Sequence, residues 1–246
     1  MLAAGLGRRL YGHDSDQSPK ALLRFNEMTL LERHISILTS CGIEELIIVV
    51  GYKSHEIISE VNKVAPPSFT SFIFNERFKE GPKISLACAD EVLRSGSDLL
   101  FMDSDVLYHS DLLKRLCKSP HPNCIAMDRE FQSTEDFVKV CLKDERVIDF
   151  GKSISKEYDV IGEWPGLLKM SAEWAELVAR VAQSSLKLGK EVGDYEEIFQ
   201  EAMFDLSPMD CKIEDVSGIP WIEIDFMSDL ATANKRILPL LDWEID

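Results

Sequence analysis

Short apolar runs along the chain alternate with stretches whose apolar residues recur every three or four positions. Glu45-Leu46-Ile47-Ile48-Val49-Val50-Gly51-Tyr52 is a continuous, β-branched run, the mark of a strand covered on both faces in a parallel sheet. Before it, Leu30, Leu31, His34, Ile35 and Leu38 fall at helical spacing, with Thr29 placed to cap that helix and Gly42 to close it. After it, Ile57, Ile58 and Val61 keep helical phase within residues 53–64. Further strands are predicted at 69–74, 98–107 and 123–127, and further helices at 109–116, 172–190 and 195–204. Ala21 to Phe25 reads as a short strand leaving through Asn26-Glu27, and a first strand that begins at Met1 is a stub. Val138–Leu142 and Val147–Phe150 bracket residues 143–146 as a hairpin. The alternation predicts an α/β fold: a doubly wound, mostly parallel, Rossmann-like sheet with helices on both faces, a small antiparallel subregion, and ligands at the carboxyl ends of the strands.

At 246 residues with 45% apolar content the chain can fill one core without a second domain. Its 27 basic and 43 acidic residues leave a formal charge of −16, which argues against a nucleic-acid polymer or an anionic membrane as partner. A phosphate ligand would need local basic islands and divalent metal; the surplus also serves as a solvated acidic surface. Cys41, Cys88, Cys117, Cys124, Cys141 and Cys211 are scattered without a Cys-x-x-Cys pair, which predicts reduced thiols rather than zinc ligation or disulfides. No signal-like or membrane-length apolar stretch is present, so a soluble cytoplasmic protein is expected.

Chemistry concentrates at three places. Leu2-Ala3-Ala4-Gly5-Leu6-Gly7-Arg8-Arg9 passes from apolar to charged through two glycines, followed by Pro19-Lys20. Glycines allow φ > 0 and close approach of a ligand to backbone N–H groups, while Arg9 and Lys20 add fixed positive charge suited to a polyphosphate. The run is neither a Gly-x-Gly-x-x-Gly dinucleotide fingerprint nor a Walker loop. Asp103-Ser104-Asp105 ends an apolar strand with two carboxylates at alternate positions, a pair that a hard cation such as Mg²⁺ would make tolerable. Trp221, Glu223 and Asp225 share a face by period two, with Ile222 and Ile224 turned to the core.

Leu-Ala-Ala-Gly-x-Gly-x-Arg with a following Pro-Lys, the Asp-x-Asp after a strand, and Trp-x-Glu-Ile-Asp near the end together resemble the nucleotidyltransferases that activate sugar phosphates and phospho-alcohols. The likeness is greatest to bacterial CTP:phosphocholine cytidylyltransferase-type enzymes. It implies a nucleotide-diphospho-sugar transferase-like fold in a single domain, 1–246, with 1–110 mainly nucleotide-binding and 123–225 mainly acceptor-binding. Leu2, Ala3, Ala4, Gly5, Gly7, Arg9, Lys20 and Ser85 would bind CTP or another NTP; Arg9, Lys20 and Lys152 would act in catalysis. Asp103 and Asp225, with Asp105 in support, would hold Mg²⁺. Where family members carry Asn before Ile-x-Ser, this chain has Lys83.

The acceptor is expected to be a small phosphate or phosphonate. Lys139 and Lys152 either project into a cleft toward it or are solvated strand-edge lysines. Glu163 resembles the Gly-Glu-x-x-Gly stretch lining the acceptor pocket, and Glu223, Trp164, Tyr195 and Trp221 suit a cationic choline-like head, the aromatics being equally at home in a core. Aminoethylphosphonate, inositol phosphate, or a sugar-1-phosphate with UTP or GTP are the alternatives; outside enzymes, so is a nucleotide-binding regulator. The oligomeric state stays open, a homodimer among the options.

Overall fold

The computed structural model describes residues 1–12, 16–131, 137–190, 193–206 and 210–243. The chain folds into two compact units, one of residues 1–79, 102–114 and 219–246, the other of 80–101 and 115–218.

In the first unit, Leu46–Val50 lies between Leu2–Ala3 and Thr70–Phe74 in a parallel sheet, and Leu2 bridges on in parallel to Asp103. Ile48, Val49 and Val50 are buried, as a two-faced strand requires. Helix Leu30–Ser40 starts where the Thr29 hydroxyl accepts the Glu32 N–H at 3.0 Å. It buries Leu31, His34, Ile35 and Leu38 along the predicted stripe. The helix at Ser54–Val64 likewise buries Ile57 and Val61. Trp221–Glu223 pairs antiparallel with Val106–Tyr108, and one apolar cluster joins Leu10, Phe25 and Leu30 to Leu107, Ile224, Ala233 and Leu241. Arg33, 2% exposed, donates to the Tyr108 carbonyl and the Asp242 carboxylate and lies over the Trp243 ring.

Two expected strands break. Ala21–Phe25 becomes a 3₁₀ turn at Lys20–Leu22 and a strand, Arg24–Phe25, paired with Met28–Thr29. Asn26 and Glu27 both take positive φ, the geometry of a two-residue hairpin turn, and Arg24 donates to the Glu27 carbonyl at 2.6 Å. The run 98–107 is split into Leu99–Met102 and Val106–Tyr108. Between them the Ser104 carbonyl accepts from His34 Nε2 at 3.2 Å instead of from a ladder, so the chain bends between Asp103, bridged to Leu2, and Asp105.

The second unit carries a sheet ordered Lys212–Asp215, Cys124–Met127, Leu167–Met170 and Leu99–Met102. The antiparallel subregion forms as Lys139–Lys143 between Arg146–Gly151 and Val160–Glu163, turning through Asp144 and Glu145 at positive φ. Helix Ala172–Lys187 buries Trp174, Val178 and Val181. The expected helix at 195–204 is shorter, Glu196–Glu201, and widens into a π turn at Ala202–Leu206. Among the described residues no helix is long and apolar enough to cross a membrane.

Candidate active site

Leu2 and Ala3 form the first strand and Ala4 is buried behind it, so the chain emerges at Gly5 from a fixed point. Gly7 takes φ +63°. A Cβ there would stand 3.1 Å from Tyr11 Cδ2 and 3.4 Å from Lys20 Cγ, so glycine suits the position both by its backbone conformation and by the room it leaves beside Tyr11. Gly5 does not take the left-handed conformation expected of it; an added Cβ would meet nothing within 4 Å, and its contribution is open space beside the backbone.

Lys20 Nζ donates to Asp105 Oδ2 at 2.9 Å and to Asp225 Oδ1 at 2.6 Å, and Arg9 Nη1 pairs with Asp225 Oδ2. Backbone pairing makes this convergence possible: the Ile224 N–H bonds the Asp105 carbonyl at 3.0 Å, carrying the ladder onward to the aspartates. Beyond it, the Asp229 carboxylate accepts the N–H groups of Asp225 and Phe226 at 2.9 and 2.6 Å, holding Asp225 at the start of helix Met227–Thr232. Burial pulls the Lys20 ammonium down in pKa, but Asp105 and Asp225 outweigh it and hold the group charged.

Asp105, Glu223 and Asp225 each offer an oxygen within 4.8 Å of the others. This differs from the expected metal set. Glu223, expected at the acceptor, stands with the carboxylates, because it is two residues from Asp225 on one strand face. Asp103 is outside the trio. Its backbone is bridged to Leu2, yet its charge still bears on Glu223. Crowding of the exposed Glu223 carboxyl by Asp105, Asp225 and Asp103 pushes it above the usual carboxylate range, against a lowering pull from Lys20. Trp221 is half-buried on the same strand, opposite Tyr108.

The other candidates lie in the second unit. Ser85 is buried inside helix Pro82–Cys88, one turn from its start. Lys83 turns inward to Glu197 Oε2 at 2.7 Å and the Lys190 carbonyl at 3.3 Å, an internal cation rather than a base contact. Trp164 corrects the acceptor assignment: it is 3% exposed, its ring packs with Phe101 and Phe150, and its indole N–H donates to Leu167. Tyr195 joins that aromatic cluster from the side of Phe101 and Phe199. Lys139 is likewise redirected, since its ammonium donates to the carbonyls of Phe137 and Lys152 and sits 4.5 Å from the Phe137 ring centre. Lys152, partly exposed, lies 3.1 Å from Asp194 Oδ2.

Glu163 faces an unforeseen partner. It exchanges both backbone hydrogen bonds with Asp128, at 2.9 and 2.8 Å, so the two residues stand directly opposite each other. A Cβ on Gly162 would fall 2.5 Å from Met127 Cε and 2.7 Å from the Asp128 carbonyl; glycine permits the approach. Burial and the Asp128 charge raise the Glu163 carboxyl from 4.5 to about 7. Asp149 was also missed. This carboxylate is 1% exposed and accepts the N–H groups of Ser155 and Lys156 and the Gln200 amide at 2.7–3.1 Å, pinning the loop that bears Lys152. Its signal was a lone acid within the apolar run Val147-Ile148-Asp149-Phe150; for Asp128 it was position, just past the strand Cys124–Met127.

Residues 1–183 match the MobA-like NTP transferase domain. The CTP:phosphoglutamine cytidylyltransferase of Campylobacter jejuni is 23% identical over 94% of this chain and 96% of its own. The 2-aminoethylphosphonate cytidylyltransferase of Lancefieldella rimae is 24% identical over 98% and 93%. Among solved structures, the CTP:phosphocholine cytidylyltransferase of Streptococcus pneumoniae shares the fold, with a TM-score of 0.71 at 23% identity over 95% of each chain. Matched over well more than half its length, the chain belongs to the MobA-like NTP transferase family and is a nucleotidyltransferase.

Proposed function

We propose that the chain is a Mg²⁺-dependent cytidylyltransferase that joins CTP to a small phosphate or phosphonate bearing a cationic group and releases pyrophosphate. The observation that carries this reading is the meeting of Lys20 and Arg9 with Asp105 and Asp225 beside the Gly7 loop. A binding module has little use for such paired charges, and the relatives named for CTP support the choice of base.

An acceptor oxygen attacks the α-phosphorus as the bond to the β-phosphate breaks. That oxygen is already anionic near neutral pH, so no general base is needed, and the protein's task is to align two anions and shield their repulsion. Lys20 and Arg9 steady the triphosphate and the charge growing on pyrophosphate. Lys152 draws in the acceptor phosphate, on a loop fixed by Asp149. Glu163, set against Asp128, receives the cationic head: a positive charge there relieves the repulsion that raises its carboxyl. The oxygen donors of Asp105, Glu223 and Asp225 fit a hard divalent cation, and Mg²⁺ held there would neutralise charge at the reacting phosphate.

Pyrophosphate release with CTP, UTP and GTP, each crossed with phosphocholine, 2-aminoethylphosphonate, phosphoglutamine, inositol-1-phosphate and a sugar-1-phosphate, tests the proposal. Turnover with CTP and a cation-bearing acceptor is expected. Turnover confined to UTP or GTP with a sugar phosphate would overturn it.

A further inference from the structure

Asp225 uses both carboxylate oxygens on the chain's own cations: Oδ1 on Lys20, Oδ2 on Arg9. Asp105 uses one on the same ammonium. Either oxygen that Asp225 could turn toward a metal is therefore already engaged. Asp105 and Asp225 are thus matched by an ammonium and a guanidinium, and the Lys20 side chain is only 12% exposed, so water does little to screen its pairs.

We infer that Lys20 is an internal stand-in for the divalent cation, keeping free metal off the carboxylates until a triphosphate arrives. The inference rests on the proposed metal site and adds an order of binding to it. A free divalent ion approaching the cluster meets an ammonium already in place, and displacing it strands a poorly hydrated positive charge. A metal–triphosphate complex brings its own remedy. Phosphate oxygens offer Lys20 and Arg9 new anionic partners while the carboxylates pass to the ion, so each charge exchanges one partner for another. Lys20 suits the exchange, being a compact charge on a flexible stem. Gly7, whose missing side chain leaves open the space beside the Lys20 stem, gives that stem room to shift.

The test is Mn²⁺ binding, followed by electron paramagnetic resonance, to the nucleotide-free wild type, Lys20→Met, Arg9→Gln and Asp225→Asn. Wild type should bind Mn²⁺ weakly alone and at least tenfold more tightly with a non-hydrolysable CTP analogue. Lys20→Met should bind Mn²⁺ at least tenfold more tightly than wild type without nucleotide. Arg9→Gln, altered at a side chain 43% exposed and so without threat to the fold, should show a smaller gain in the same direction. Wild type binding free Mn²⁺ as tightly as the folded Lys20→Met and Arg9→Gln variants, with Asp225→Asn abolishing that binding, would overturn the stand-in role while leaving the metal site. No Mn²⁺ binding sensitive to Asp225→Asn, with or without the analogue, would overturn the metal site itself and the inference with it.

Discussion

Glu163→Gln should make the protein more stable at pH 8 and leave its stability unchanged at pH 4.5. In the folded chain the Glu163 carboxyl titrates at about 7 instead of 4.5, because burial and the facing Asp128 disfavour its charge. The native state therefore holds a proton that the unfolded state has released between those values. Stability contributed by the neutral form is complete below pH 4.5 and is lost as pH rises through about 7. At 1.36 kcal/mol per unit the full difference is about 3 kcal/mol, reduced to about 2 for a group that keeps some contact with water. Glutamine is nearly isosteric and has no charge to suppress, so above pH 8 the variant should melt roughly 4–8 °C higher, at about 2–4 °C per kcal/mol for a chain of this size. Thermal unfolding followed by circular dichroism from pH 4.5 to 8.5 measures the gap between the two proteins. A gap that stays constant across that range, or widens toward acid, would refute the reasoning. The same substitution should raise KM for a cationic acceptor and leave KM for CTP unchanged.

Asp225→Ala should lower kcat by about 10²-fold or more while circular dichroism reports an intact fold, since it removes the anchor of Lys20 and Arg9 together. Gly162→Ala should destabilise the chain by about 1–3 kcal/mol in denaturant titration, because the new methyl meets the Asp128 carbonyl as well as the Met127 side chain. His34 titrates at about 3, held down chiefly by burial; stability should fall as pH drops below 6.5 toward that value, and His34→Asn should flatten this acid limb in pH-dependent unfolding. Asp149→Asn should raise KM for the acceptor more than for CTP, through the loop that carries Lys152, in steady-state kinetics.

The legible parts of the molecule were those whose signal is local. Val49 and Val50 announced a doubly covered strand by side-chain type alone, and Thr29 announced a helix start that its hydroxyl makes. Glu223 and Asp225 came together as their spacing of two suggested, although the strand itself ends at Glu223, and Ile224 between them is fully buried. Misassignments came where a side chain's role depends on what lies across from it. Lys139 looked like a phosphate ligand until the carbonyls of Phe137 and Lys152 stood within its reach. Trp164 could serve an acceptor or a core, and its neighbours Phe101 and Phe150 are far off in sequence. Glu223 joins Asp105 and Asp225 for a related reason, since the pairing of Trp221–Glu223 with Val106–Tyr108 decides which carboxylates converge.

The apolar cluster that joins Leu10, Phe25 and Leu30 to Ile224, Ala233 and Leu241 has a consequence for biosynthesis. Its two halves lie about 200 residues apart along the chain, and at about 5–20 residues per second the early half waits roughly 10–40 s for the late one. Throughout that interval Leu10, Phe25 and Leu30 lack the cover of Ile224, Ala233 and Leu241, and Arg33 has no Asp242 to grip. The first compact unit is thus completed when residues 219–246 join it, which makes the newborn chain a client for holdase chaperones while residues 115–218 can already collapse on their own contacts.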